Sequence, residues 1–222
     1  MVKSITRTLC VVLSLILTLL CCLSCARKAP VFGELDFSPV TPGDCVETDE
    51  ITTLVKVSVA DFGDIIIRLY PEVAPKTVEN FQTLVSQKFY DGLIFHRVME
   101  GFMIQTGSPT GNGIGGSSEK IKGEFDTNGF ENNLKHIKGT VSMARLPNDK
   151  NSASSQFFIV HETNSNTSSL NGKYASFGYV ICGMDMVNAI AKTPVKNTVD
   201  GEKSIPITTV VIESIRFIKP AN

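Results

Sequence analysis

From Ile51 onward the chain breaks into short runs rich in Val, Ile, Phe and Tyr, cut apart by Gly, Asn, Asp and Ser. "TLVKVSVADFGDIIIRLYP" holds two such runs around "DFGD" and predicts a hairpin. "LIFHRVM", "FMIQTG", "GTVSMARL", "SQFFIVH" and "YASFGYVI" are further strand candidates, and "PITTVVIESIRFI" alternates as a long closing strand. Only two segments carry helical spacing. In "APKTVENFQTLVSQ", Val78, Phe81, Leu84 and Val85 share one face, and Pro75 suits a first turn. "GMDMVNAIAKT" predicts a second short helix, with Pro194 beyond its end. About eight strands and two short helices point to a sandwich or barrel rather than to βαβ units. Thr106 to Asn133 has few strong elements, and a loop that long inside a compact domain is a functional candidate.

The N-terminus has a different texture. Lys3 and Arg7 precede an apolar run from Leu9 to Cys25, so residues 1–24 read as an export signal. A membrane span needs about 20 apolar residues, and this run is slightly short for one. Ser24 stands directly before Cys25, and "ARKAP" turns polar at once. That pattern resembles a bacterial lipoprotein signal, which would lipidate Cys25 and make it the new N-terminus. Cys22 departs from the Leu usual three positions before the cleavage point. A plain cleaved signal and an uncleaved anchor are the alternatives. Ala26 lacks the Asp that marks inner-membrane retention in many Gram-negative bacteria, which leans toward the outer membrane. Residues 25–50, with Pro30, Pro39, Pro42 and Gly43, read as a flexible tether, and 51–222 as the domain. Cys45 and Cys182 then remain. Export permits a disulfide between them, but two unpaired thiols are the expectation.

The common chemistries find little support. Net charge is −1 with no dense Lys/Arg tract, so no nucleic-acid partner is expected. No Cys/His spacing suggests zinc, and no cofactor is implied. His96, His136 and His161 lie in no nucleophile motif, and there is no G-x-S-x-G elbow. "GNGIGG" lacks the Lys-Ser/Thr of a phosphate loop and reads as a tight turn. What remains is Arg97 among apolar neighbours, with "GFMIQ" and "SSQFFIV" in separate strands. Together they could build an apolar pocket with one fixed cation and a few amides. Taken singly, such an arginine is an exposed strand residue and such aromatics are core.

The joint pattern changes that. "FHRVMEGFMIQTGSPTGNGIGG", "GTVSMARLPNDKNSASSQFFIV" and "LNGKYASFGYVICGMDMVNAI" resemble, in order and spacing, the three signature blocks of cyclophilin-type peptidyl-prolyl isomerases. The resemblance runs from about Leu54 to Phe217. It implies a closed eight-stranded antiparallel β-barrel capped by two short α-helices. It also implies rotation about X-Pro bonds without metal or cofactor. Arg97 would be the catalytic arginine, and Phe102, Met103, Phe158 and Leu170 the walls of the proline pocket. Gln105 would bond the substrate backbone and help position the arginine. Gln156, Gly113, Ala144 and Arg145 would line the peptide groove. Arg145 in "MAR", and Tyr174 where many members have His, sort with bacterial members; Tyr174 would close the pocket edge. Ser169 stands where an aromatic that helps bind cyclosporin is common. Weak cyclosporin binding is therefore expected, and inhibition at nanomolar drug would overturn that. The implied partners are proline-containing polypeptides, and the membrane through a lipid on Cys25, for a monomer in the cell envelope. The addresses are the periplasmic side, the outer membrane or the surface. The rival expectations are a proline-peptide binding module and a surface interaction protein with incidental turnover.

Overall fold

The computed structural model describes residues 34–221. The candidate signal, Cys25 and the first part of the candidate tether lie outside the described residues. From Leu35 onward the chain forms one unit. Its strands are β1 (Cys45–Thr48), β2 (Leu54–Val59), β3 (Gly63–Leu69), β4 (Arg97–Met99), β5 (Met103–Thr106), β6 (Thr140–Met143), β7 (Phe157–Val160), β8 (Ser176–Cys182), β9 (Val195–Asn197), β10 (Lys203–Pro206) and β11 (Ile212–Pro220). Its helices are α1 (Pro75–Ser86), the short α2 (Ser165–Ser168) and α3 (Met184–Ala191).

The "DFGD" hairpin forms as its pattern predicts, with β2 and β3 paired from Leu54–Arg68 to Val59–Gly63. Alternation sends Val55, Val57 and Val59 of β2, and Ile65 and Ile67 of β3, into the main core. Ile66 points the other way and packs with Ile181 and Ile218 in a second cluster. Against the inner face lies α1, which buries the four apolar residues its spacing singles out: Val78, Phe81, Leu84 and Val85. The Phe81 ring sits 5.2–5.3 Å from those of Tyr90, Phe157 and Phe177. These offset and edge contacts add to the area each ring buries.

The start of α1 carries an unusual cap. Pro75 removes one donor, but Ala74 at the N-cap has no side-chain acceptor. Glu124 of the long loop supplies it. Its carboxylate accepts from the Lys76 N–H (3.0 Å), the Thr77 N–H (2.8 Å) and the Thr77 hydroxyl (2.8 Å). Glu124 is only 3% exposed, so these bonds satisfy a buried charge as well as a helix end. Asn132, also buried, donates to the carbonyls of Glu124 and Ser176 at 2.9 Å. The long loop is thus fixed by side chains rather than by a ladder. At the exit of β5, Gly107 adopts φ +87°, and a Cβ there would be driven into the Ser155 carbonyl.

Two expectations need correction. The first is the closed eight-stranded barrel. The strands instead form a nine-stranded sheet in the order β1-β11-β2-β3-β8-β6-β7-β5-β4, with β9 and β10 as a separate pair. The sheet does not close through a continuous ladder. Between α1 and β4 the chain turns at Gly92 (φ +77°) and makes an isolated bridge, Ile94–Val211, against the run into β11. Three backbone hydrogen bonds carry this seam: Gly92 N–H to the Ile212 carbonyl (2.8 Å), Ile212 N–H to the Leu93 carbonyl (2.8 Å) and Phe95 N–H to the Val210 carbonyl (2.9 Å).

The second is the tether. Cys45–Thr48 pairs antiparallel with the end of β11, from Cys45–Pro220 to Thr48–Phe217. Upstream, Val40 packs on the Ile66 cluster, and the Phe37 ring lies 4.7 Å from Tyr179 and 5.8 Å from Tyr70. Tyr70 donates its hydroxyl to the Asp36 carbonyl at 2.7 Å, and Arg68 pairs with the Asp36 carboxylate. Outward-facing Ile66 and Tyr70 need cover, and this segment gives it. Cys45 and Cys182 are free thiols, on strands separated by β11, β2 and β3.

Candidate active site

Strand register assembles the site. β4, β5, β7 and β6 lie side by side, and their pairing sets Arg97, Gln105, Phe158 and Ser142 in one row across the sheet. Residues in such a row share a face. Met103 is two residues from Gln105 and so shares that face. Here Met103, Phe158 and Val160 form a satellite apolar cluster, joined by Phe102, Ala144, Leu170 and Tyr174. Arg97, Phe102, Met103, Gln105, Ala144, Arg145, Phe158, Leu170 and Tyr174 line one cavity of about 150 Å³. Gln105, Ala144 and Arg145 continue into a neighbouring groove of about 420 Å³, which also holds Gly113 and Gln156. All eleven candidate residues of the domain therefore meet at these two hollows. A larger hollow, about 780 Å³, lies between α1 and residues 117–122 and does not include Arg97 or the apolar walls.

Each wall has its own support. Phe102 sits in the turn from β4 to β5. The Gly101 N–H donates to His161 Nδ1 at 2.9 Å, and Asn164 Nδ2 donates to the Gly101 carbonyl at 2.6 Å. Asn164 also caps α2 in a reciprocal box with Thr167, which orders the Asn/Ser-rich segment that leads to Leu170. Ser169 ends that helix with its hydroxyl on the Asn166 carbonyl at 2.7 Å. Phe158 is backed by His136, whose ring lies parallel at 6.0 Å. Asn171 Oδ1 (3.1 Å) and Ser142 Oγ (3.0 Å) hold that imidazole at either nitrogen. Burial pushes the His136 pKa down to about 4, so the ring behind the pocket is neutral near pH 7.

The amides form a chain. Gln105 Nε2 donates to Gln156 Oε1 at 2.9 Å. Gln156 Nε2 donates in turn to the carbonyls of Gly113 (2.9 Å) and Gly115 (2.7 Å). "GNGIGG" is therefore groove backbone. Gly113 has φ +79°, and a Cβ there would crowd the His96 ring at 3.3 Å.

Two assignments shift. Gln105 was expected to help position Arg97, but its Oε1 accepts nothing from the guanidinium and its Nε2 donates to Gln156. Arg97 is gripped instead by Glu202, with Nε to Oε1 and Nη2 to Oε2 both at 2.7 Å. An ionised carboxylate outcompetes a neutral amide for a guanidinium. The pairing with Arg97 holds the Glu202 pKa down to about 2. Arg145 lines both hollows, yet its Nε and Nη1 donate to the carbonyls of Lys173, Leu146 and Pro147. Its guanidinium lies 4.6 Å over the Tyr174 ring. It braces two loops, and Nη2 is the edge left without a partner among the described residues. Sequence reading missed Glu202, His136, His161 and Asn164 as site supports. None has a local motif; each is placed by tertiary contact.

A hollow of this size, with Phe102, Met103, Phe158 and Leu170 among its walls, holds one small ring; a cavity of roughly 150 Å³ accommodates benzene. A ring-sized pocket beside one clamped cation and a peptide groove defines a site that acts by gripping a polypeptide. The comparisons agree. Residues 54–216 match the family model described as cyclophilin type peptidyl-prolyl cis-trans isomerase/CLD. The chain is 45% identical over 136 residues to human peptidyl-prolyl cis-trans isomerase-like 3, covering 61% of this chain and 80% of that protein. It is 42% identical over 139 residues to peptidyl-prolyl cis-trans isomerase B of Bacillus subtilis, covering 63% and 91%. It spans only 21% of a longer relative, peptidyl-prolyl cis-trans isomerase cyp15 of Rhizopus delemar, at 47% identity. Among solved structures, a Cryptosporidium parvum cyclophilin type isomerase in the presence of the dipeptide Ala-Pro superposes with a TM-score of 0.65. That match has 31% identity and covers 74% of this chain and 98% of that one. The chain belongs to the cyclophilin-type peptidyl-prolyl cis-trans isomerases.

Proposed function

We propose that this isomerase acts on X-Pro bonds of exported polypeptides at the cell envelope, with Arg97 as the catalytic donor. The observation that carries the chemistry is the placement of the Arg97 guanidinium beside a ring-sized apolar pocket. Rotation about X-Pro is slow because the amide C–N bond has partial double-bond character, with a barrier of roughly 18–20 kcal/mol. No covalent bond needs to break. A twisted amide has lost conjugation, and its nitrogen has regained a lone pair. A permanently charged donor beside that nitrogen stabilises the twisted state over either planar one. Phe102, Met103, Phe158 and Leu170 grip the ring while the preceding carbonyl swings. The Gln105–Gln156–Gly113 chain supports the peptide on the other side of Arg97.

A coupled isomerase assay on a Pro-containing peptide tests this. The wild type accelerates exchange, and Arg97→Ala loses about 10²–10³-fold in kcat/KM. Equal rates in the two proteins would sink the mechanism. Peptide binding by a wild type that gives no acceleration would favour the binding-module reading.

The envelope address rests on residues 1–25, and the bacterial branch on Arg145 in "MAR" and on Tyr174. Lipid on Cys25 would hold the domain where secreted chains fold, which suits a folding-assistance role. Palmitate labelling that persists in Cys25→Ser would refute the anchor.

A further inference from the structure

The Arg97–Glu202 pair joins the strand that carries the pocket's cation to the turn of the β9–β10 hairpin. Its geometry is a fork on a fork, both bonds 2.7 Å long. Such a pair fixes the plane of the guanidinium as well as its position. The remaining nitrogen, Nη1, lies on the opposite edge, 3.8 Å from the Met103 sulfur in the pocket wall. No other oxygen among the described residues accepts from the Arg97 side chain. The Glu202 backbone is itself anchored in the turn. The Glu202 N–H donates to Thr198 Oγ1 at 3.0 Å, and the Thr198 N–H donates to the Glu202 carbonyl at 2.8 Å. The Gly201 N–H closes the same turn on the Thr198 carbonyl at 3.1 Å.

We propose that Glu202 is a positioning residue for the isomerase reaction, clamping Arg97 so that its Nη1 edge faces the prolyl nitrogen of a bound peptide. The inference rests on reading Arg97 as the catalytic donor. A free arginine samples many rotamers, and ordering it would add to the barrier of every turnover. The clamp does that ordering in the folded protein. The carboxylate also subtracts from the positive field at the pocket, so orientation and field oppose each other. We assign the larger effect to orientation, because the donor must meet a lone pair that exists only in the twisted amide. The effect therefore falls on kcat more than on KM.

The test measures kcat and KM for wild type, Arg97→Ala, Glu202→Ala, Glu202→Gln, Glu202→Asp and the Arg97→Ala/Glu202→Ala double variant. Glu202→Ala and Glu202→Gln are expected to lose about tenfold in kcat, or about 1.4 kcal/mol of barrier. KM should stay within about twofold. Glu202→Asp should recover part of the rate, and the double variant should be no slower than Arg97→Ala alone. An inactive wild type, or Arg97→Ala matching it, removes the isomerase reading beneath the inference. An active wild type with a crippled Arg97→Ala, but full kcat in Glu202→Ala and Glu202→Gln, overturns the inference alone. So does a rise in kcat, which would make the carboxylate a brake. An equal loss in the Arg97→Ala background would show that Glu202 acts without Arg97, and would also overturn it.

Discussion

His96, His136 and His161 sit behind the pocket or under its turns, and burial lowers the pKa of all three. His96 and His136 are held down to about 4, chiefly by desolvation, and His161 lies below its usual value for the same leading reason. The unfolded chain binds protons near pH 6.5. The stability conferred by three neutral imidazoles is therefore complete above that pH and is lost as pH falls from 6.5 through about 4. Thermal melts should show a plateau near neutrality and a decline across that window; a plateau extending below pH 4.5 would contradict it. The Arg97–Glu202 pair contributes in a lower window, from the ordinary 4.5 of Glu202 down through about 2. At this scale the sequence was most informative where residues fall in contiguous strand motifs. Arg97, Met103, Gln105 and Phe158 are neighbours because register puts them in adjacent rows, and each lies in a contiguous strand motif. Glu202 sits in "TVDGEK", a charged turn with no apolar pattern, and only tertiary structure brings it across 105 residues to Arg97.

Helix α1 shows the same division among elements. Its buried face was legible because Val78, Phe81, Leu84 and Val85 recur at helical spacing. Its cap was not, because Glu124 arrives from a loop 47 residues away. Removing that carboxylate leaves three donors at a buried helix end. Glu124→Ala should cost about 2–3 kcal/mol in urea denaturation, and Glu124→Gln less, because its amide oxygen still accepts. Equal midpoints for Glu124→Ala and wild type would show that water serves the helix end as well. The β9–β10 hairpin was illegible for a different reason: its strands are three and four residues long, and the positions β10 buries are Ser204 and Pro206, so its alternation is not an apolar one. The short α2 was hidden because its stability lies in one reciprocal Asn164–Thr167 cap rather than in an apolar face.

The molecule as a whole differs from its sequence-based outline at one seam. The outer edge of β11 has two partial partners instead of one closing strand. Its lead-in is bridged by Ile94, and its end is covered by β1. The first lies in the strand-like run "LIFHRVM"; the second lies among Pro and Gly residues that read as spacer. The compact unit thus begins at Leu35 rather than at Ile51.

That shift has a consequence for how the protein behaves in solution. Cutting the chain at Ile51 would remove β1 and bare the edge at Phe217–Pro220. The same cut would uncover the apolar patch around Ile66 and Ile218. A bare sheet edge beside exposed isoleucines recruits the edges of other molecules. The shorter chain should run larger by size-exclusion chromatography as concentration rises, while a chain from residue 35 should not; identical profiles would contradict this. Cys45–Thr48 is then a guard against self-association, stationed on the last strand to be made.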